Sequence, residues 1–225
     1  MQDKVLLEIA CFSTESAIVA QDAGAGRIEL CFDHSSGGIF PGRDSIREAR
    51  KKLRVPLFVM VRPEKGNFVC SDAAFEEMKN EIQICKEEDV HGIVFGILDE
   101  NNSIDEKRSA ELVTLARPME STFHRAFDRT TDLFQSLESV IDCGFTRILT
   151  SGGEENASGG ALRIRKLIER AERRIIILPG GGIRADNCSV IVTQTGASEI
   201  HSSALTGNLN LPDKLEIRKM KEIFH

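Results

Sequence analysis

The feature that most constrains this chain is a series of short apolar runs, each followed by an amphipathic stretch. Eight such runs recur: VLLEIA (5–10), RIELC (27–31), LFVMVRP (57–63), GIVFGILD (92–99), STFHRAF (121–127), RILTSG (147–152), IIILPGG (175–181) and EIHSSA (199–204). Short runs rich in Val, Ile and Leu suit strands covered on both faces, as in a parallel sheet. The stretches between them carry helix punctuation. STESAIVAQDAGAG opens on a Ser13/Thr14 cap and closes on glycine, SDAAFEEMKNEIQICKEE spaces Phe75, Met78, Ile82 and Cys85 helically, and DLFQSLESVIDCG stops at Gly144. Run starts lie about 22 to 35 residues apart, the length of a βα unit, with no linker or low-complexity segment between them.

The pattern predicts an α/β protein: a (β/α)8 TIM barrel in a single domain over residues 1–225, with strands within 5–204 and a closing helix at about 213–224. In that last helix Leu215, Met220 and Ile223 are expected to pack on the barrel. The competing doubly wound sheet usually carries a GxGxxG turn after its first strand. Here that position reads ACFSTES, without glycine.

Composition narrows the function classes. A net charge of −6, no Trp, no Tyr and no basic run argue against nucleic-acid binding. No apolar run approaches the roughly 20 residues of a membrane span. The opening MQDKVLLEIACFS lacks the long apolar region of a secretory signal. Six cysteines stand at 11, 31, 70, 85, 143 and 188 with no CxxC pair, so a cytoplasmic protein with free thiols is expected.

In a barrel the C-terminal strand ends meet at one mouth, where active sites sit. There the sequence offers Glu8, Glu29, Arg62, His124, Arg125, Asp128 and His201 as a candidate catalytic cluster. Alternation along strands puts Glu8 with Ala10, Glu29 with Cys31, Thr122 with His124, and Glu199 with His201 and Ser203 on shared faces. The cluster reads either as a site or as an ion-pair network plugging the barrel, although buried charges seldom favour stability. Asp128 has a plainer alternative as a cap or as the partner of Arg125. The turns after the sixth to eighth strands supply Ser151, Gly180, Gly181, Gly182, Ser202 and Ser203 as candidate anion-binding residues, since glycine lets backbone N–H groups approach a phosphate. Cys70 precedes a helix capped by Ser71 or Asp72, a position that can lower a thiol pKa. Cys11 and Cys31 end the first two strands and are the candidate metal ligands; thiolates suit Cu(I).

Taken in order, RIELC followed by GG, then VRPEKGNF, TFHRAFD, RILTSG, ILPGGGI and EIHSSA closely resemble the copper homeostasis protein CutC family over residues 5–204. The resemblance implies a (β/α)8 barrel, a cytoplasmic protein linked to copper handling, Cu(I) held through cysteine, and self-association into homo-oligomers. Relatives typically have Glu-Val/Ile-Cys in the first strand, whereas this chain has Glu8-Ile9-Ala10. Cys11 is one step further, which faces the opposite side of a regular strand. Cys31 matches the cysteine of the family's second motif.

Two functions from different classes follow. One is copper homeostasis, with Cu(I) bound at the barrel mouth by Cys31, assisted by Cys11 or a histidine. The other is an enzyme acting on a small anionic or phosphorylated metabolite. There Glu8 or Glu29 would act as base, His124 or His201 as acid, Arg62 and Arg125 would stabilise negative charge, and the Gly180–Gly182 turn would hold the anion.

Overall fold

The computed structural model describes residues 5–207 and 211–224. Eight strands alternate with eight helices: β1 (Leu6–Cys11), α1 (Thr14–Ala23), β2 (Arg27–Leu30), α2 (Arg43–Lys52), β3 (Leu57–Met60), α3 (Asp72–Glu87), β4 (Gly92–Phe95), α4 (Glu106–Ala116), β5 (Glu120–Phe123), α5 (Leu133–Asp142), β6 (Arg147–Thr150), α6 (Ala157–Ala171), β7 (Ile176–Pro179), α7 (Cys188–Thr195), β8 (Glu199–Ser202) and α8 (Lys214–Ile223). The ladders are all parallel, in the order β7-β6-β5-β4-β3-β2-β1-β8. This is the TIM barrel expected from the repeat.

The ends of that order, β7 and β8, meet at a seam without a described backbone ladder. Side chains hold it: Ser202 Oγ donates to Ile183 O at 2.7 Å, and Arg184 Nη1 donates to Ser202 Oγ at 3.2 Å. Gly180 lies so close to the facing strands that a Cβ there would sit 2.4 Å from Leu149 Cδ1 and 3.3 Å from His201 Cβ.

Local chemistry sets the element ends. Ser13 and Ser16 form a reciprocal capping box on α1, which terminates on Gly24 in the left-handed region at φ 112°. Ser71 caps α3 and Asp213 caps α8. α5 ends with Cys143 at its C-cap, and Gly144 takes the left-handed conformation one residue later. In α8 the buried residues are Ile217 and Met220, while Leu215 and Ile223 are exposed. The expectation for Leu215 and Ile223 is therefore corrected: only the helix stripe set by Ile217 and Met220 reaches the barrel.

The strand register divides the apolar residues into two layers. Leu7, Ile9 and Cys11 of β1 join the main core between sheet and helices. A smaller cluster of Cys31, Phe58, Met60 and Val94, with Phe12 against it, lies inside the barrel. The fifth run does not stay extended to residue 127. β5 stops at Phe123, and Arg125–Arg129 form a 3-10 turn because His124 accepts a hydrogen bond from Ala126 N. Among the described residues no helix is long and apolar enough to cross a membrane.

Candidate functional site

The floor of the lumen is ionic. Arg27 Nε donates to Glu8 Oε2, and its Nη2 donates to Glu199 Oε2 at 2.6 Å. Arg147 Nε reaches the same Glu199 oxygen at 2.8 Å, and its Nη2 reaches Glu120 Oε2 at 3.0 Å. Both guanidinium groups lie over the Phe58 ring, at 5.0 and 5.2 Å from its centroid. Two buried cations thus share the Glu199 carboxylate beneath one aromatic face, which seals the barrel bottom. Neither arginine belonged to the sequence-derived cluster. Alternation would have found Arg27, which stands two residues before Glu29; Arg147 heads the RILTSG run, but nothing in that run marks it as part of a charged lumen.

Above the floor, Glu8, Glu29 and His201 converge, each offering a ligand atom within 4.8 Å of the others. They come from β1, β2 and β8, neighbours in the sheet. His201 Nδ1 lies 2.7 Å from Glu8 Oε1. Burial pushes the Glu8 carboxyl up, but the Arg27 charge and the His201 hydrogen bond prevail and hold it at about 2. Burial pulls His201 down, but Glu29 and Glu8 outweigh it and raise the imidazole above its ordinary value. Glu29 is raised by burial, with His201 only partly opposing. Its Oε1 accepts from Cys31 Sγ at 3.3 Å, while its buried Oε2 has no partner among the described residues. The layer therefore combines a carboxyl biased toward its ionised form with an imidazole and a second carboxyl each biased toward its protonated form, a set suited to proton transfer.

The two candidate thiols are separated. Cys31 belongs to the lumen cluster; Cys11 belongs to the core behind the sheet, where its Sγ faces Ile9 O at 3.6 Å. β1 runs unbroken through Cys11, paired with Leu30, so alternation turns that side chain toward the helices. The structure does not bring Cys11 and Cys31 together at the mouth. Burial raises both thiols. The expectation of a lowered pKa for Cys70 is corrected as well. Burial raises it, Glu64, Asp105 and Asp72 add to the rise, and only Arg108 opposes.

A cavity of about 1070 Å³ opens above this layer, lined by Glu29, Arg62, Phe68, His124, Arg125 and His201 among others. The His124 ring accepts from Ala126 N at 3.2 Å through Nδ1, which leaves its proton on Nε2. Burial and the neighbouring Arg62 push its pKa down to about 3, so the ring is neutral at physiological pH. Among the described residues Arg62 donates only to carbonyls, those of Ser36 at 3.0 Å, Gly38 at 3.2 Å and Gly66 at 3.0 Å, and its guanidinium lies over Phe68.

Asp128 takes the plainer of its two roles. It accepts from Arg125 Nε at 2.9 Å, from Ser151 N at 3.0 Å, from Gly153 N at 3.0 Å and from the hydroxyls of Thr150 and Ser151. It ties the 3-10 turn to the loop after β6. Ser151 is fully buried in that network, and Arg125 Nη2 donates to its hydroxyl at 2.7 Å.

The remaining anion candidates divide. Gly180 gives its N–H to Thr150 O at 2.9 Å, and Ser202 faces away from the lumen, bonded across the seam. Gly181 and Gly182, at φ 98° and 71°, donate no described backbone hydrogen bond. A Cβ on Gly181 would lie 3.2 Å from Arg125 Nη1, and Ser203 lines the cavity. Of the anion candidates, Ser203 lines the cavity and Gly181 lies against Arg125, which lines it too, whereas Gly182 packs toward Asn156.

Residues 5–206 match the model of the CutC family. A mouse protein named copper homeostasis protein cutC homolog is 42% identical over 199 residues, covering 88% of this chain and 73% of its own length. The human protein of the same name gives the same identity and coverage. A crystal structure of CutC from Streptococcus agalactiae superposes with a TM-score of 0.85 at 32% identity, over 88% of this chain and 98% of that one. Barrel, lumen and sequence agree: this chain belongs to the CutC family.

Proposed function

We propose that this protein takes part in copper homeostasis and receives Cu(I) as cargo inside the barrel, with Cys31 as the soft ligand and His201 assisting. The relatives named copper homeostasis proteins support the role, and one observation carries the site: Cys31 is the cysteine that the described residues place in the lumen cluster. A thiolate with an imidazole suits Cu(I), whereas carboxylates are harder donors. Cys31 must lose a firmly held proton on loading, and Glu29 Oε1 at 3.3 Å already accepts from its Sγ. Cys11 does not fit as a second ligand, because it faces the helices. The reading goes with a cytoplasmic location, where thiols stay reduced, and with homo-oligomers. Anaerobic Cu(I) titration against a competing chelator tests it: Cys31→Ser loses most of the affinity and Cys11→Ser retains it. Unchanged affinity in Cys31→Ser would refute the assignment.

One observation favours a second reading, an enzyme acting on a small anionic metabolite. The cavity of about 1070 Å³ holds far more than a single ion and is sized for an organic ligand. In this reading Glu29 and His201 exchange protons with the ligand, and Arg125, with Gly181 against it, and Ser203 face its charged end. Thermal shift across phosphorylated and carboxylated metabolites tests it. A saturable rise of several degrees supports it, and no rise for any of them contradicts it.

A further inference from the structure

We propose that Arg62 and His124 form an oxyanion-recognition subsite in the cavity wall, which binds the carboxylate or phosphate of a small organic anion. The inference rests on the second reading above for its purpose and names the recognition element that reading leaves open.

Arg62 is a half-buried cation with no carboxylate within 4.0 Å among the described residues, whereas Arg27, Arg125 and Arg147 in the same barrel each have at least one. Burying a cation without a counterion is costly. The side chain is nevertheless fixed: carbonyls of Ser36, Gly38 and Gly66 hold both Nη atoms, and Phe68 lies against the guanidinium at 5.1 Å. These bonds occupy three donors and leave Nε–H and one Nη2–H without an acceptor among the described residues. A rigid cation with spare donors is the group that recognises planar and tetrahedral oxyanions.

His124 supplies the complementary half. It packs edge-on against the same Phe68 at 4.8 Å between ring centroids. Its Nδ1 is committed to Ala126 N, so Nε2–H is the free donor, and both residues line the one cavity. Because the ring is neutral, it donates without adding a second buried cation beside Arg62. Glu29 and His201 line the same cavity, so an anion held by Arg62 and His124 has its remaining atoms within the space those acid–base groups face.

The test is equilibrium binding of malonate and of inorganic phosphate to the full chain by isothermal titration calorimetry, without added metal. Saturable binding of at least one is expected; malonate alone marks a carboxylate subsite, phosphate alone a phosphate subsite. His124→Asn preserves an acceptor for Ala126 N but removes the Nε2–H, and it is expected to weaken binding about tenfold. Arg62→Gln is expected to abolish binding, and the exposed Arg54→Ala to leave it unchanged. If Arg62→Gln fails to fold, His124→Asn decides. No binding of either anion by the wild type, equal affinity in His124→Asn, or loss confined to Arg125→Gln would overturn the assignment. The readout is binding alone, so a failed search for turnover contradicts the enzymatic reading and leaves this subsite standing.

Discussion

His201 Nδ1 lies 2.7 Å from Glu8 Oε1, across 193 residues of sequence, and Arg27 holds the other oxygen of that carboxylate. The pairing fixes the imidazole and sets its charge. Glu8, held at about 2, contributes stability that is present above its ordinary value of 4.5 and lost as pH falls through about 2. His201, raised above 6.5, contributes stability that is complete below that value and lost as pH rises through its elevated pKa. Glu8→Gln is predicted to lower the His201 pKa, measured by ring NMR titration. It should also destabilise the fold by about 3 kcal/mol at neutral pH, because Arg27 loses one of its two buried carboxylate partners and keeps only Glu199.

Glu81 on α3 gives the opposite pH signature. Its carboxyl is buried, its Oε2 lacks a partner among the described residues, and burial with nearby Glu77 raises it to about 9. The folded chain keeps this proton where the unfolded chain releases it. The site therefore costs nothing below pH 4.5 and destabilises increasingly as pH rises toward about 9. Glu81→Gln is predicted to match the wild type at pH 4 and to exceed it by on the order of 2 kcal/mol at pH 8 in urea denaturation.

Gly160 is where α6 meets the loop that Asp128 organises. A Cβ there would fall 1.8 Å from Ser151 O, a backbone atom that cannot swing aside. Gly160→Ala is predicted to cost about 3 kcal/mol, or roughly 6–12 °C in Tm for a chain of this size. Hydrogen exchange at the Ser151 and Gly153 amides should rise with it, because displacing Ser151 pulls both from Asp128.

Residues that face the lumen were legible wherever the signal was alternation. Glu8, Glu29, His124 and His201 line the interior because each stands an even number of residues from its inward neighbours. The same rule turned Cys11 outward, and it shows why Ser202 and Ser203 do not share a role: adjacent strand residues face opposite sides. Quantities that depend on register were not legible. That Glu8 is level with both Arg27 and His201 is set by the ladders β1–β2 and β1–β8, which no local pattern encodes. The ionic floor was hidden for the same reason, since Arg147 and Glu199 meet across 52 residues of sequence. At TFHRAFD the β-forming residues misled, because the cap on His124 Nδ1 and the Asp128 network bend the backbone where propensity alone would extend it.

The most direct measurement of the central claim is Cu K-edge X-ray absorption on the Cu(I)-loaded protein and on Cys31→Ser. The account predicts a shell of one sulfur and one imidazole nitrogen in the wild type, with the sulfur lost in Cys31→Ser. A two-sulfur shell, or a spectrum unchanged by Cys31→Ser, would contradict copper binding in the lumen.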